Sequence, residues 1–198
     1  SGARVVRDGS DGTAEVECVT TAPSHGGIYQ RQSWVLRDGM NGIEVTTLLR
    51  NETAQSAHLE LDDVFKTFPG HGECQGVSWL DVVDPADKAG YAIVASRGGI
   101  DLAAGAEHRI TRTLICGSSP AEAVGGVLSA IAPCGTLELT LKDPSGSPAE
   151  SAVAWITLGG SPEMPAYPDA FGKIVLKVPA GPVGVRIADT GQIGRAHV

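Results

Sequence analysis

Apolar and polar residues alternate along most of this chain. Leu137, Leu139 and Leu141 interleave with Thr136, Glu138, Thr140 and Lys142. A period of two sets the three leucines on one face of a strand. Ile174, Leu176 and Val178 repeat the pattern, as do Val183, Val185 and Ile187. Upstream, Ile43, Val45, Thr47 and Leu49 share one strand face, and Val16 and Cys18 alternate with Glu15 and Glu17. Further strands are predicted at 28–37, 58–65, 77–83, 91–96, 110–116 and 152–158. Turn signals separate them: Asp8-Gly9-Ser10-Asp11-Gly12, Asp38-Gly39-Met40-Asn41-Gly42, Asp84-Pro85, Asp143-Pro144-Ser145-Gly146 and Pro179-Ala180-Gly181. Such clusters supply the preset φ of proline and the positive φ open to glycine. Residues 66–75 read as irregular, and Gly98-Gly99 as a break in the pattern.

One segment carries a helical signature. Ser119-Pro120-Ala121-Glu122 is a capping box with proline at the first helical position. The expected helix runs from Pro120 to Ile131, and Pro133 ends it. The fold class expected is therefore all-β with one short helix: an antiparallel β-domain over 1–132, with about eight to ten strands by turn spacing, and a small β-sandwich over 133–192.

Two resemblances refine this. A strand followed by Asp143-x-x-Gly146-x-Pro148, then Ala152, a later Asp169-x-x-Gly172, and a strand running into Pro179-Ala180-Gly181 resembles the carboxypeptidase-regulatory-like module, a transthyretin-like sandwich. Such modules are usually non-catalytic appendages of exported proteins. The run DGMNGIEVTTLLRNET, the Leu59-x-Leu61-Asp62-Asp63 segment, a Gly-rich loop, the AGAEHRITRTL strand and the SPAEA helix start are similar to the supersandwich region of some CehA/McbA-type metallohydrolases. That region precedes the PHP-type catalytic domain and shares its fold with galactose-mutarotase-like domains. The resemblances imply a supersandwich-like domain at 1–132 and a carboxypeptidase-regulatory-like β-sandwich at 133–192. They also imply a bacterial, extracellular or periplasmic setting, and a downstream catalytic domain as partner. The segment 193–198, IGRAHV, resembles the translation of a sequencing-adapter read-through. It is expected to be a non-native tail on an environmental fragment.

The chain has 198 residues, 42% of them hydrophobic, 5% aromatic, and 26 glycines. That balance suits short strands and Gly-rich turns. The net charge of −8 argues against nucleic acid and anionic membranes as partners. No apolar run is long enough to span a bilayer. Cys18, Cys74, Cys116 and Cys134 lack zinc-ligand spacing. Cys18 and Cys116 read as buried thiols. Cys116 and Cys134 flank the helix and are the pair to inspect for a bridge. Asn51-Glu52-Thr53 matches a glycosylation acceptor pattern, with a plain turn as the simpler reading.

The densest polar stretch, residues 62–87, holds the ligand candidates Asp62, Asp63, His71, Glu73 and Trp79, with Lys66, Cys74, Asp81, Asp84 and Asp87 beside them. Carboxylates and a histidine in a Gly-rich loop suit a metal or a sugar, and loops on β-scaffolds often carry function. Turn-capping explains the same carboxylates without a ligand. Mutarotase-type chemistry needs an acid and a base across a sugar ring, for which His71 and Glu73 are the candidate pair. Trp155 is assigned to the core. Trp79, beside the polar loop, is the candidate carbohydrate platform. His25, His58, His71, His108 and His197 include no His-x-His pair of the PHP type, and no G-x-S-x-G occurs. The expectation is a non-catalytic accessory fragment with no catalytic residues, no metal and no cofactor of its own. The alternative is a carbohydrate-binding module or a mutarotase-like sugar-acting domain using 62–87.

Overall fold

The computed structural model describes residues 2–21, 27–40, 42–61, 69–83, 88–95, 98–188 and 193–197. Four strands come first: β1 (Gly2–Asp8), β2 (Thr13–Thr21), β3 (Ile28–Arg37) and β4 (Ile43–Asn51). Next are β5 (Ala57–Leu61), β6 (His71–Cys74), β7 (Val77–Val83), β8 (Lys88–Val94), β9 (Gly98–Leu102) and β10 (Glu107–Gly117). Helix α1 (Pro120–Ile131) precedes β11 (Cys134–Thr140), β12 (Val153–Leu158), β13 (Met164–Ala166), β14 (Lys173–Pro179), β15 (Val183–Ala188) and β16 (Ile193–His197). The fold is all-β with a single short helix among the described residues. Two compact units comprise residues 1–63 with 96–114, and residues 64–95 with 115–198.

In the first unit the strands lie in the order β1-β2-β3-β4-β10, each pair antiparallel. The Asp8–Gly12 turn joins β1 to β2: Asp8 Oδ1 accepts the Ser10 N–H at 3.0 Å and Asp11 Oδ1 the Thr13 N–H at 3.0 Å. The register sets Val5, Val16, Trp34 and Val45 in one cross-strand row, so they share a face. Ile28 and Leu49 lie on that face and pack with Leu102 of β9 and with Leu59 of β5. β9 pairs with β5 in a two-stranded sheet. Gly98-Gly99 thus opens a strand, a correction to its reading as a break. Paired backbone can override the low β-propensity of glycine.

Asn51 ties this unit together. Its side chain is fully buried. Nδ2 donates to the carbonyls of Gln55 at 2.7 Å and Leu102 at 2.9 Å, while Oδ1 accepts from Thr53 N–H at 2.9 Å and Thr53 Oγ1 at 2.7 Å. The Asn51-Glu52-Thr53 pattern is therefore a structural turn with its amide consumed inside the fold.

In the second unit β6, β7 and β8 form an antiparallel meander, and α1 packs on β7, β8 and β14. Val124, Val127 and Leu128 of α1 join Val77, Trp79, Ala92, Ile156, Ile174 and Leu176 in one core. The helix has the boundaries its sequence signals give. Ser119 Oγ accepts the Glu122 N–H at 3.3 Å, and the Glu122 carboxylate reaches back to Ser118 N–H at 2.8 Å. One expectation shifts here. Residues 71–74, read as irregular, form β6, because pairing with β7 supplies their backbone hydrogen bonds. Strands that follow one another across a turn also join different sheets: β11 pairs with β14, while β12 pairs with β13 and β15. The turn at 143–146 reverses the chain without making its flanking strands partners. β16 pairs with β15.

All four cysteines are free. Cys116, read as buried, is exposed, and it forms no bridge with Cys134.

Candidate functional site

β7 brings its odd-numbered residues to the helix-facing side of the meander, where Val77 and Trp79 are buried. Asp81 continues that parity at the end of the strand. The short strand β13 delivers Tyr167 opposite it. Tyr167 Oη donates to the Asp81 carboxylate, 3.0 Å from Oδ2 and 3.2 Å from Oδ1. Burial, followed by the Asp81 interaction, pushes the Tyr167 phenol far above its ordinary range. Burial also raises Asp81, and the Tyr167 hydrogen bond offsets part of that. The stable arrangement is a neutral phenol donating to an ionised carboxylate. Lys88, at the start of β8, holds its ammonium 4.8 Å from the centroid of the Tyr167 ring, within cation–π range.

A cleft of about 300 Å³ opens beside this trio. Lys88, Tyr167 and Pro168 form one side, Ser118 and Glu122 of the helix start another, and residues 173–176 of β14 line the rest. The carboxylates around it are engaged. Glu122 accepts from Ser118. Asp169 Oδ1 accepts the N–H groups of Phe171 and Lys173, each at 2.9 Å. The cleft can present an ammonium, an aromatic ring and a strand edge to a ligand.

The residues singled out from sequence lie elsewhere. Asp62 and Asp63 fall outside the described residues, as do Lys66, Asp84 and Asp87. His71 and Glu73 sit two apart on β6 and share a face, with His71 exposed and Glu73 half-buried. Trp79 opposes Gly72, so it lies on the other face. Its indole covers Gly72 so closely that a Cβ there would stand 2.3 Å from the ring. Trp79 is 7% exposed and offers no open platform. Trp155 is half-buried, contrary to its assignment to the core. Ala154, Ile156 and Leu158 take the inward positions of β12 and leave Trp155 outward. Arg186, opposite in the register, lies 5.3 Å from the Trp155 ring centroid and is held by Glu163.

Asp81 and Tyr167 are 86 positions apart, so no local spacing announced their contact. Parity along β7 pointed Asp81 inward, but nothing in the sequence named its partner. Among the described residues, no group of three or more His, Cys, Asp or Glu side chains is arranged to hold a metal ion. No helix is long and apolar enough to cross a membrane. Comparison with known proteins finds no matching family model, no matching curated protein and no matching solved structure.

Proposed function

We propose that the chain is an all-β accessory fragment of a larger exported protein, which positions or presents a catalytic partner domain. In this reading 1–132 is the supersandwich-like part, 133–192 the carboxypeptidase-regulatory-like module, and the parent a metal-dependent hydrolase of the PHP type. The observation that carries it is how the polar groups of the second unit are used. Glu122 caps α1, Asp169 ties its turn, Asp81 holds Tyr167 and Trp79 fills the core. The carboxylates that line the cleft already serve the fold, so the surface is better suited to contact than to proton transfer.

One observation favours a second reading. β6 sets His71 and Glu73 on one face, which a mutarotase-like sugar-acting domain would need. Polarimetry separates the two. The accessory reading predicts that D-galactose mutarotation in the presence of the purified chain proceeds at the buffer rate. An acceleration that disappears in His71→Ala would establish the sugar-acting reading instead.

A further inference from the structure

β5 and β9 form a two-stranded ribbon whose faces divide by parity. Ala57, Leu59 and Leu61 alternate with His58 and Glu60, and Ile100 and Leu102 with Gly99 and Asp101. The first set packs down on Ile28, Leu49 and Ile110. The second stands outward, where the register sets His58 opposite Asp101 and Glu60 opposite Gly99. The His58 ring reaches along the ribbon and lies over Gly99, where a Cβ would come within 2.4 Å of it. That seat puts Nδ1 2.7 Å from Asp101 Oδ1 and Nε2 3.0 Å from Glu60 Oε1. An ionised carboxylate only accepts hydrogen bonds, so both contacts need a hydrogen on each ring nitrogen. The arrangement is that of an imidazolium between two carboxylates.

A neutral ring keeps one hydrogen and turns a lone pair to the other carboxylate. The bond that survives loses its charge assistance. Glu60 and Asp101, diagonal neighbours across the ribbon, lose the cation between them. Among the described residues these two are the charged groups against the ring. β3, β4 and β10 meet the ribbon from beneath with Ile28, Leu49 and Ile110, and His108, opposite Leu49 in the register, belongs to that lower side. A two-stranded ribbon is marginal by itself. Asn51 fixes its end at Leu102 by donating to that carbonyl, and His58 fastens the outer face. We propose that the β5–β9 ribbon is a proton-operated strap: the His58 imidazolium, held between Asp101 and Glu60, keeps it down on the apolar floor of Ile28, Leu49 and Ile110, and loss of one proton to solvent lets it open more often. Opening joins that floor to Val16 and Val5, which are exposed on the same face. The pH then sets how much apolar surface the first unit shows. The strap works in the same way whether or not the chain serves a catalytic partner.

Hydrogen exchange of the whole chain tests this, read on peptides covering 57–61 and 98–102 and divided by the intrinsic exchange rate at each pH. Between about pH 5 and about pH 9, the opening constant of the ribbon should rise about three- to fivefold, the range of an exposed ion pair, while that of β2, β3 and β4 stays level. His58→Gln should show the parent's high-pH opening at every pH, and a contribution from His108 would survive in it. Gly99→Ala keeps every charge but pushes the ring off its seat, and should reduce the rise. Opening that ignores pH in the parent, a rise of the same size in His58→Gln or in Gly99→Ala, or an equal rise in β2, β3 and β4 overturns the proposal. So does exchange of the ribbon at the intrinsic rate throughout, since no closed strap would then exist.

Discussion

The two units solve the same problem with different materials. In the first, one sheet face is a lattice of ion pairs: Arg4 and Arg31 on Glu17, Arg7 on Glu15, Arg37 on Glu44, and Arg50 on Glu107. Its apolar face is covered only in part. Ile28 and Leu49 are buried under β5 and β9, while Val5, on the same face, is 68% exposed. In the second unit, a helix rich in small residues closes over the strands, and the core extends from Trp79 through Val124 to Ile156. Exposed ion pairs contribute little each and weaken with salt, whereas enclosed apolar side chains contribute through area and close packing. The first unit should therefore answer to pH and ionic strength, and the second to changes of volume.

The sharpest way to break that comparison is Trp79→Ala. Removing a buried tryptophan should cost about 3–5 kcal/mol, with the loss concentrated in the second unit. Hydrogen exchange read peptide by peptide should show β7, β8 and α1 losing protection while β2, β3 and β4 keep most of theirs. Equal loosening of both sets would mean that the units do not hold separate reserves of stability.

Asn51→Ala is the counterpart in the first unit. It deletes an amide that is fully buried and leaves the carbonyls of Gln55 and Leu102 and the N–H of Thr53 without it. Stranding buried polar groups should cost about 2–3 kcal/mol. Urea unfolding should show the loss, and Asn51→Asp should not repair it, because a carboxylate cannot donate. A loss below about 0.5 kcal/mol would indicate that water replaces the amide.

How much of this was legible in the sequence follows the same division. Alternation at Ile43, Val45, Thr47 and Leu49 correctly put those residues on one face, since a strand's parity is local information. The helix was legible to the residue, because Ser119, Pro120, Glu122 and Pro133 are local signals. Partner choice was not: the Asp143–Gly146 turn carries no record that β11 pairs with β14. The reading of Trp79 as an open platform failed for the same reason. Trp79 was placed by its polar neighbours, yet its environment is set by Gly72 across the hairpin and by the helix. Asp81, Tyr167 and Lys88 are ordinary residues until β7, β8 and the segment after β13 bring them together.

Ser119→Ala tests the helix closure at smaller scale. Loss of an N-cap hydroxyl costs typically about 1 kcal/mol, and the Glu122 contact to Ser118 should cushion it. A double variant with Glu122→Ala should therefore lose more than the sum of the two single changes. Thermal melts of the four proteins measure this, and strict additivity would show that the two caps act independently.

The smallest expected effect is also the one that best distinguishes the units. His58 on β5 lies 2.7 Å from Asp101 Oδ1 through Nδ1 and 3.0 Å from Glu60 Oε1 through Nε2. Asp101, directly opposite on β9, raises the imidazole above its ordinary value of 6.5, and Glu60 adds to the shift. A raised folded-state pKa means that the protonated ring favours the folded state. The contribution is fully present below the unfolded value of about 6.5 and is lost as the pH climbs through the folded one. His58→Gln should therefore melt below the parent at about pH 5, and the two should converge by about pH 9. Added salt should shrink the gap at low pH, because the cluster is exposed. The corresponding pH series on Trp79→Ala should show a deficit that barely changes, since its origin is volume rather than charge. A His58→Gln deficit that persisted unchanged at high pH would assign the contact to the neutral ring's hydrogen bonds, and the clasp between β5 and β9 would no longer count as electrostatic.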